Sequence, residues 1–377
     1  MRVLVTGGAG FVGRGLVRDL VDAGHAVRVL DTLAEQVHGP GADWPPELAG
    51  AELRRGDVRD PAAVADAVAG ADAVAHLAAE TGVGQSMVEI ARYVDVNERG
   101  TAVLLDALAR QGGPVRLVLA SSRAVYGEGL YACPRCGEVA PPPRTAAALA
   151  AGDWDPPCPA CGGAIAPLPT HEDAPARPGS VYAATKLAQE QLCRVVAAAY
   201  GLPLTVLRYF NVYGPGQSLA NPYTGILATF HARAAAGKPV EVYEDGREQR
   251  DFVFVDDVVA ATRRALLRPA GVVREETLNV GSGRATTVGE LAEAVVRLGG
   301  WDVPVRVTGA YRLGDVRHAV ADPRRCAATL DPAPATPLET GLARWLAWAG
   351  TAGGGDRTDR AAAELAARGM LGRARSG

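Results

Sequence analysis

The chain has 377 residues, of which 48% are hydrophobic and 21% charged, with a formal net charge of −3. That length exceeds the ~250–300 residues at which a single core stops growing, so two domains are expected. The near-neutral balance gives no basic footprint for nucleic acid or an anionic membrane surface, and no apolar run approaches the ~20 residues that span a bilayer. With a first strand beginning at Arg2 there is no room for a leader, and a cytoplasmic location is expected.

Residues Arg2–Thr6 form a β-rich run ending in Gly7-Gly8-Ala9-Gly10-Phe11-Val12-Gly13, after which Leu16, Val17, Leu20 and Val21 recur at helical spacing. Strand, glycine turn and helix follow in the order a dinucleotide site requires. Glycines let the backbone turn tightly and approach a pyrophosphate, which then rests on the helix N-terminus. The spacing is G-x-x-G-x-x-G (Gly7, Gly10, Gly13) and not G-x-G-x-x-G; a plain tight turn is the alternative. The next strand, Ala26 to Leu30, ends at Asp31. A carboxylate there can accept both ribose hydroxyls of adenosine and repels a 2′-phosphate, which favours NAD over NADP. The alternative is a strand-end acid capping a loop. Residues 32–50 read as loop, rich in Pro and Gly.

Leu53 to Asp57 reads as a third strand, leading into Asp57-Val58 at an adenine's edge, and a helix follows over 62–69. Ala71 to Leu77 is a fourth strand, ending His76-Leu77-Ala78-Ala79, where small residues would let a cofactor lie flat. His76 reads as a packed strand histidine. Asn97 to Thr101 opens a helix with Val103, Leu104, Ala107 and Leu108 on its apolar face. Val115 to Ala120 is the fifth strand, ending in Ser121-Ser122-Arg123-Ala124-Val125-Tyr126-Gly127. Ser122 is placed to hold a substrate oxygen or, more simply, to cap the next turn. Glu128 reads as a solvated loop acid. Strands and helices alternating in this way predict a parallel, doubly wound sheet with ligands outside the carboxyl ends of its strands.

Cys133, Cys136, Cys158 and Cys161 form two C-x-x-C-G knuckles, while Cys193 and Cys326 stand alone. In a cytosolic chain this spacing points to a zinc ribbon rather than disulfides. With four thiolates no coordination position is left open, so the zinc is expected to be structural, replacing a core that a short Pro-rich segment cannot build. The insert leaves the Ser122 strand end and returns at Tyr182, which places it at the substrate rim or makes it a lid. Tyr182 and Lys186 lie one helical turn apart on one face. An ammonium beside a phenol favours the phenolate, so the Tyr182 pKa is expected to fall from ~10 toward neutrality, as a general base or acid requires. A solvated helix face has the same spacing.

Leu204 to Arg208 is another strand, and Phe210 to Tyr223 reads as loop. Helices near 225–236, 256–268 and 288–298 alternate with short strands at 240–243, 277–280 and 304–307, and Leu342 to Trp348 closes the domain. The division expected is 1–206 for the first α/β domain, with an insertion at 130–170, and 207–350 for a smaller α/β domain with segments returning to the first. The tail, 351–377, is expected to be flexible or a frayed helix.

Taken together, T-G-G-A-G-F-V-G (6–13), H-L-A-A (76–79), S-S-R-A-V-Y-G (121–127), Y-A-A-T-K (182–186), R-Y-F-N-V-Y-G-P (208–215), R-D-F-V-F-V-D-D-V (250–258), N-V-G-S-G (279–283) and G-D-V-R-H (314–318) carry a resemblance. From residue 1 to about 348 the chain resembles the extended short-chain dehydrogenase/reductases, and among them the NAD-dependent nucleotide-sugar epimerase/dehydratase group. The resemblance implies a Rossmann-type fold and a catalytic set of Ser122, Tyr182 and Lys186. It implies NAD held by Gly7, Gly10, Phe11, Val12, Gly13, Asp31, Asp57, Val58, Leu77, Ala78, Ala79, Asn97 and Tyr209, together with Tyr182 and Lys186. Asn211, Arg250 and Arg317, with Ser122, would bind a nucleotide-diphosphate sugar, and guanidinium forks suit phosphate oxygens. A homodimer through helices near 97–109 and 181–199 is implied as well.

The chemistry implied is reversible oxidation at sugar C4. Dehydratases of the family carry an acid pair directly after the position of Ser122, and decarboxylases a glutamate in that stretch; here Arg123 and Ala124 stand there. A 4-epimerase is therefore expected ahead of a dehydratase, a decarboxylase, a 4-ketoreductase using free NADH, or a non-catalytic NAD-binding scaffold. The four-cysteine insert is similar to those of bacterial homologues assigned to 4-epimerization of dTDP-L-rhamnose or related 6-deoxysugars. Arginine clamps read phosphates and leave the base and sugar open.

Overall fold

A computed structural model describes residues 1–219, 225–269, 275–331, 336–352 and 366–374. Its centre is a seven-stranded parallel sheet of β1 (Arg2–Thr6), β2 (Ala26–Asp31), β3 (Glu52–Arg55), β4 (Ala73–His76), β5 (Arg116–Ser122), β6 (Leu204–Tyr209) and β7 (Glu275–Val280). The spatial order is β7-β6-β5-β4-β1-β2-β3, all neighbours parallel. The order reverses between β1 and β4, and the carboxyl ends of the strands open a crevice there.

Side chains alternate across each strand, so both faces of a covered sheet must be apolar. Val3 and Val5 of β1 join one core with Leu16, Val17 and Leu20 of α1 (Phe11–Asp22). Leu4 joins the other core, with Val64 of α2 (Pro61–Val68), Leu104 and Leu108 of α3 (Gly100–Gln111), and Cys193 of α4 (Val181–Tyr200). Helix α2 begins where Asp60 accepts from the amides of Ala62 and Ala63 with Pro61 in the first turn. Helix α4 begins at Ser180, whose hydroxyl accepts from the Ala183 amide, and this sets Tyr182 in the first turn.

In the second half, Val240–Val242 pairs with Val305–Val307, and Gln249–Arg250 lies between Thr286–Thr287 and His318–Ala319. Two segments return to the first domain. The strand expected at 277–280 is β7, at the sheet edge, and α5 (Val255–Leu267) adds Val258 and Val259 to the core that holds α1. Within the loop expected at 210–223, Asn211–Tyr213 is a strand paired with Phe252–Phe254; residues 220–223 lie outside the described residues. The helix expected from Asn97 starts earlier, as a π-helical stretch over Val94–Arg99 running into α3. Most of the tail also lies outside the described residues. Its Leu371–Arg373 is a strand antiparallel to Ala310–Arg312, which the flexible-tail reading did not anticipate. The insert contains a three-stranded antiparallel sheet with Leu130–Cys133 between Gly137–Val139 and Ala166–Leu168. No helix among the described residues is long and apolar enough to cross a membrane.

Candidate active site

The glycine loop joins β1 to α1 at the switch point. Gly7 has φ +70°, and a Cβ there would sit 2.7 Å from the Ala78 amide nitrogen, so only glycine lets the loop close onto the end of β4. A Cβ on Gly13 would meet the Gly7 carbonyl oxygen at 2.4 Å. Gly10 caps α1 without a side chain, leaving the first-turn amides of Phe11 and Val12 for an anion. Asp31, at the tip of β2, accepts from the Ala9 and Leu33 amides at 3.0 and 2.9 Å, with His38 beside it.

The strip after β4 is held from beneath. The buried imidazole of His76 bridges Thr6 Oγ1 (2.8 Å) and Thr101 Oγ1 (2.9 Å). Burial, aided by the charge of Lys186, lowers its pKa to about 3, so it is a neutral packed histidine, as read from the sequence. Asn97, fully buried, brackets Glu80 by accepting from its amide (2.8 Å) and donating to its carbonyl (3.1 Å), and donates to Thr185 as well. It thus positions Leu77–Ala79 rather than presenting a free amide. Asp57 is occupied by the Arg59 guanidinium (2.7 and 3.0 Å), and Val58 packs on Gly100. The Tyr209 hydroxyl contacts Thr262 of α5 at 2.7 Å.

Ser122, Tyr182 and Lys186 do come together. Ser122 ends β5 and caps a 3-10 turn over Arg123–Tyr126; α4 crosses that strand end with Tyr182 in its first turn and Lys186 one turn on. The pKa of Tyr182 does not fall as expected. Burial pushes it up, while the hydrogen bond with Ser122 and the charge of Arg123 pull it down less strongly. The reason is where Lys186 points. Its ammonium donates to the Ala120 carbonyl at 2.9 Å, and burial lowers its own pKa to about 8. Beneath the dyad, Glu190 accepts from Arg208 (2.7 and 2.9 Å), Ser121 (2.5 Å) and Arg194 (2.9 Å), locking α4 to β5 and β6.

The residues expected at the substrate divide. Asn211 keeps a buried side-chain oxygen with no protein partner, as a ligand-binding amide should. Arg250 donates to the carbonyls of Gln249, Val316 and Arg317 and has no carboxylate partner among the described residues. Asp251 beside it gathers the amides of Ser282, Gly283 and Ala321. Arg317, in contrast, is 2% exposed and is held by Asp155, Glu244 and Asp245, at 2.7 to 3.2 Å. Glu128 corrects another expectation. It is buried, not solvated, accepting from Arg144 (3.2 Å) and the Arg317 amide (2.6 Å), and burial raises its pKa. Arg144 of the insert also reaches Glu244 (2.8 Å) and the Asp315 carbonyl (3.0 Å). Glu244 takes a left-handed φ of +47°, a strained conformation for a non-glycine residue, held by both arginines. Sequence reasoning missed Arg144, Glu244 and Asp155, none of which sits in a motif.

The insert brings its four cysteine sulfurs within 4.8 Å of one another, with Cys133 and Cys161 at 3.6 Å. Bonds of ~2.3 Å to one tetrahedral ion put sulfurs ~3.8 Å apart, so the cluster has the right size for a metal. Amides of Arg135 and Cys136 turned toward Cys133 lower its pKa to about 6, which favours the thiolate a metal needs.

The sequence model of the NAD dependent epimerase/dehydratase family matches residues 3–148 and 160–281. The chain is similar to a dTDP-L-rhamnose 4-epimerase of Burkholderia thailandensis, 41% identical over 352 residues, covering 92% of this chain and 94% of that protein. Among solved structures it is similar to the Thermus thermophilus UDP-glucose 4-epimerase in complex with NAD, at 31% identity and TM-score 0.72, covering 92% of this chain and 98% of the other. The Thermotoga maritima UDP-glucose 4-epimerase with UDP-glucose gives 30% identity and TM-score 0.74 over the same shares.

Proposed function

The chain belongs to the NAD-dependent epimerase/dehydratase family, and we propose that it is an isomerase that inverts C4 of a nucleotide sugar with NAD retained throughout. A dTDP-linked 6-deoxysugar of the rhamnose type is the substrate we favour, because the similarity to the Burkholderia enzyme spans nearly the whole of both chains. The observation that carries the reading is Ser122 and Tyr182 meeting at the β5 end, with Arg123 and Ala124 beside them where elimination of water needs acids.

Residues of this chain fit NAD. The unused amides of the first turn of α1 suit a pyrophosphate, Asp31 suits a ribose, and the small Ala78-Ala79 strip leaves room beside the nicotinamide. The chemistry that bound NAD supplies is hydride acceptance and return, together with a positive nicotinamide charge. Tyr182, as phenolate, accepts the C4 hydroxyl proton, and Ser122 bonds the same oxygen as it becomes a carbonyl. Lys186 holds the end of β5, and with it Ser122, through the Ala120 carbonyl. After the 4-keto sugar turns over, Tyr182 returns the proton to the other configuration.

The four cysteines would hold a structural zinc, since all positions are filled and the insert is otherwise pinned by Arg144 and Asp155. Cysteines left as free thiols suit a reducing cytoplasm. Val94, Leu192 and Val195 are 39%, 37% and 70% exposed on the helices expected at a homodimer interface, and a second copy would cover them. The test is a panel of dTDP-L-rhamnose, dTDP-glucose, UDP-glucose and UDP-glucuronate incubated with pure protein and no added cofactor. NMR and mass spectrometry should find one product of unchanged mass and inverted C4. Loss of water or carbon dioxide would overturn the proposal.

A further inference from the structure

Tyr93 belongs to none of the motifs read from the sequence, yet it is fully buried and its ring lies against that of Tyr182. It ends a short helix, Ile90–Tyr93, where the chain enters the π-helical stretch Val94–Arg99. A π turn set into regular helix is a feature that collects at functional sites. The two rings meet edge to face, with centroids 6.4 Å apart and planes at 85°, the arrangement aromatic pairs prefer. The Tyr93 hydroxyl donates to the Thr81 carbonyl at 2.5 Å and reaches that of Gly82 at 3.1 Å. Those carbonyls belong to the turn that follows the Ala78-Ala79 strip, where Gly82 takes a φ of +111°. The same π stretch supplies Asn97, which donates to Thr185 Oγ1 at 3.0 Å, and that hydroxyl donates to the Tyr182 carbonyl at 2.9 Å. Tyr182 is thus held at its ring by Tyr93 and at its backbone through Asn97.

We propose that Tyr93 is a positioning residue for the reaction: its ring sets the direction of the Tyr182 phenol, and its hydroxyl ties that ring to the turn bordering the nicotinamide strip. The proposal rests on reading the site as that of a 4-epimerase. Both acceptors then draw on one C4–O–H unit, the hydride leaving carbon for NAD and the proton leaving oxygen for Tyr182. Their separation decides how often the substrate is in a reactive geometry, and an error of ~1 Å in such spacing costs about a hundredfold in rate. A phenol turns about its side-chain torsions, and Ser122 restrains only its oxygen. An edge-on ring anchored at its own hydroxyl removes that freedom.

Stopped-flow mixing of NAD-loaded protein with dTDP-L-rhamnose, followed at 340 nm, reads the hydride step by its rate and the intact fraction by its amplitude. Tyr93→Leu, which removes the ring, should slow that rate roughly ten- to hundredfold and lower kcat with it, while KM stays within about threefold. Tyr93→Phe keeps the ring and should stay within about threefold of wild type in rate, although the lost hydroxyl lowers the melting temperature. Bound NAD content and circular dichroism establish that each variant is folded, and Tyr93→Met takes the place of the leucine variant if that one does not load NAD. Reduced amplitude with an unchanged rate in Tyr93→Leu overturns the proposal, because that is what a purely structural residue gives. Equal slowing in the two variants overturns it too, since the ring is then not what matters. A wild-type protein that epimerises no sugar removes the proposed activity, and the contact is then judged by unfolding. Tyr93→Leu and Tyr182→Leu should couple by roughly two- to tenfold in the unfolding constant, and strict additivity overturns the proposal.

Discussion

Replacing Glu190 by leucine should be among the most damaging single changes beneath the active site. Glu190 is 0% and Arg208 5% exposed, and the pair is bidentate at 2.7 and 2.9 Å. Removing the carboxylate leaves a buried guanidinium uncompensated, at a cost of about 3–5 kcal/mol. Replacing both residues, Glu190→Leu with Arg208→Met, removes that stranded charge. What is then lost is the stacking of Arg208 over Tyr126 at 4.7 Å, its bond to the Glu172 carbonyl, and, as in the single variant, the Glu190 bonds of Ser121 and Arg194, together about 2–3 kcal/mol. The double variant should therefore be more stable than Glu190→Leu alone, with a coupling above about 1 kcal/mol. Urea unfolding followed by tryptophan fluorescence at saturating NAD measures both. A cost below about 1 kcal/mol for Glu190→Leu, or strict additivity, would refute the reasoning. The pair also sets a pH signature. Burial pushes the Glu190 pKa up, but its hydrogen bonds to Arg208 and Ser121 overcome this and leave it lowered. Its stabilisation is thus fully present above the ordinary glutamate pKa and lost as pH falls through the lower folded value, and Glu190→Leu should remove that part of the acid transition.

Gly13→Ala places a methyl 2.4 Å from the Gly7 carbonyl oxygen, so the protein should purify without NAD and be destabilised by about 1–3 kcal/mol; the ratio of absorbance at 260 and 280 nm reports the cofactor. Elemental analysis should find about one zinc per chain. Cys136→Ser, at an exposed position, should lose that zinc and loosen the insert, read by faster proteolysis between 133 and 163. Val195→Glu puts a charge at a 70% exposed apolar position of α4 and should shift sedimentation from dimer to monomer.

Much of the architecture was legible because its signals are local. Glycines at 7 and 13 report a loop that no larger residue can form, and the one-turn spacing of Tyr182 and Lys186 does put both at the β5 end. Spacing could not say where a four-carbon side chain ends. The Ala120 carbonyl captures the ammonium, so the expected fall in the Tyr182 pKa is absent from the protein's own groups. Burial was hidden for the same reason. Glu128 reads as a solvated acid and Arg317 as a phosphate ligand until the insert folds over them with Arg144 and Asp155, which no motif ties to either. The strand was visible over 277–280, but its place beside β6 depends on a tertiary return that no local pattern encodes.

The most direct test uses dTDP-L-rhamnose carrying deuterium at C4, with pure protein and no added cofactor. If the hydride leaves C4 and returns to the same carbon, the inverted product keeps its deuterium, and Tyr182→Phe abolishes the conversion. Inversion with deuterium washed into solvent would mean that proton abstraction from carbon, and not hydride transfer, does the work, and would contradict the central claim.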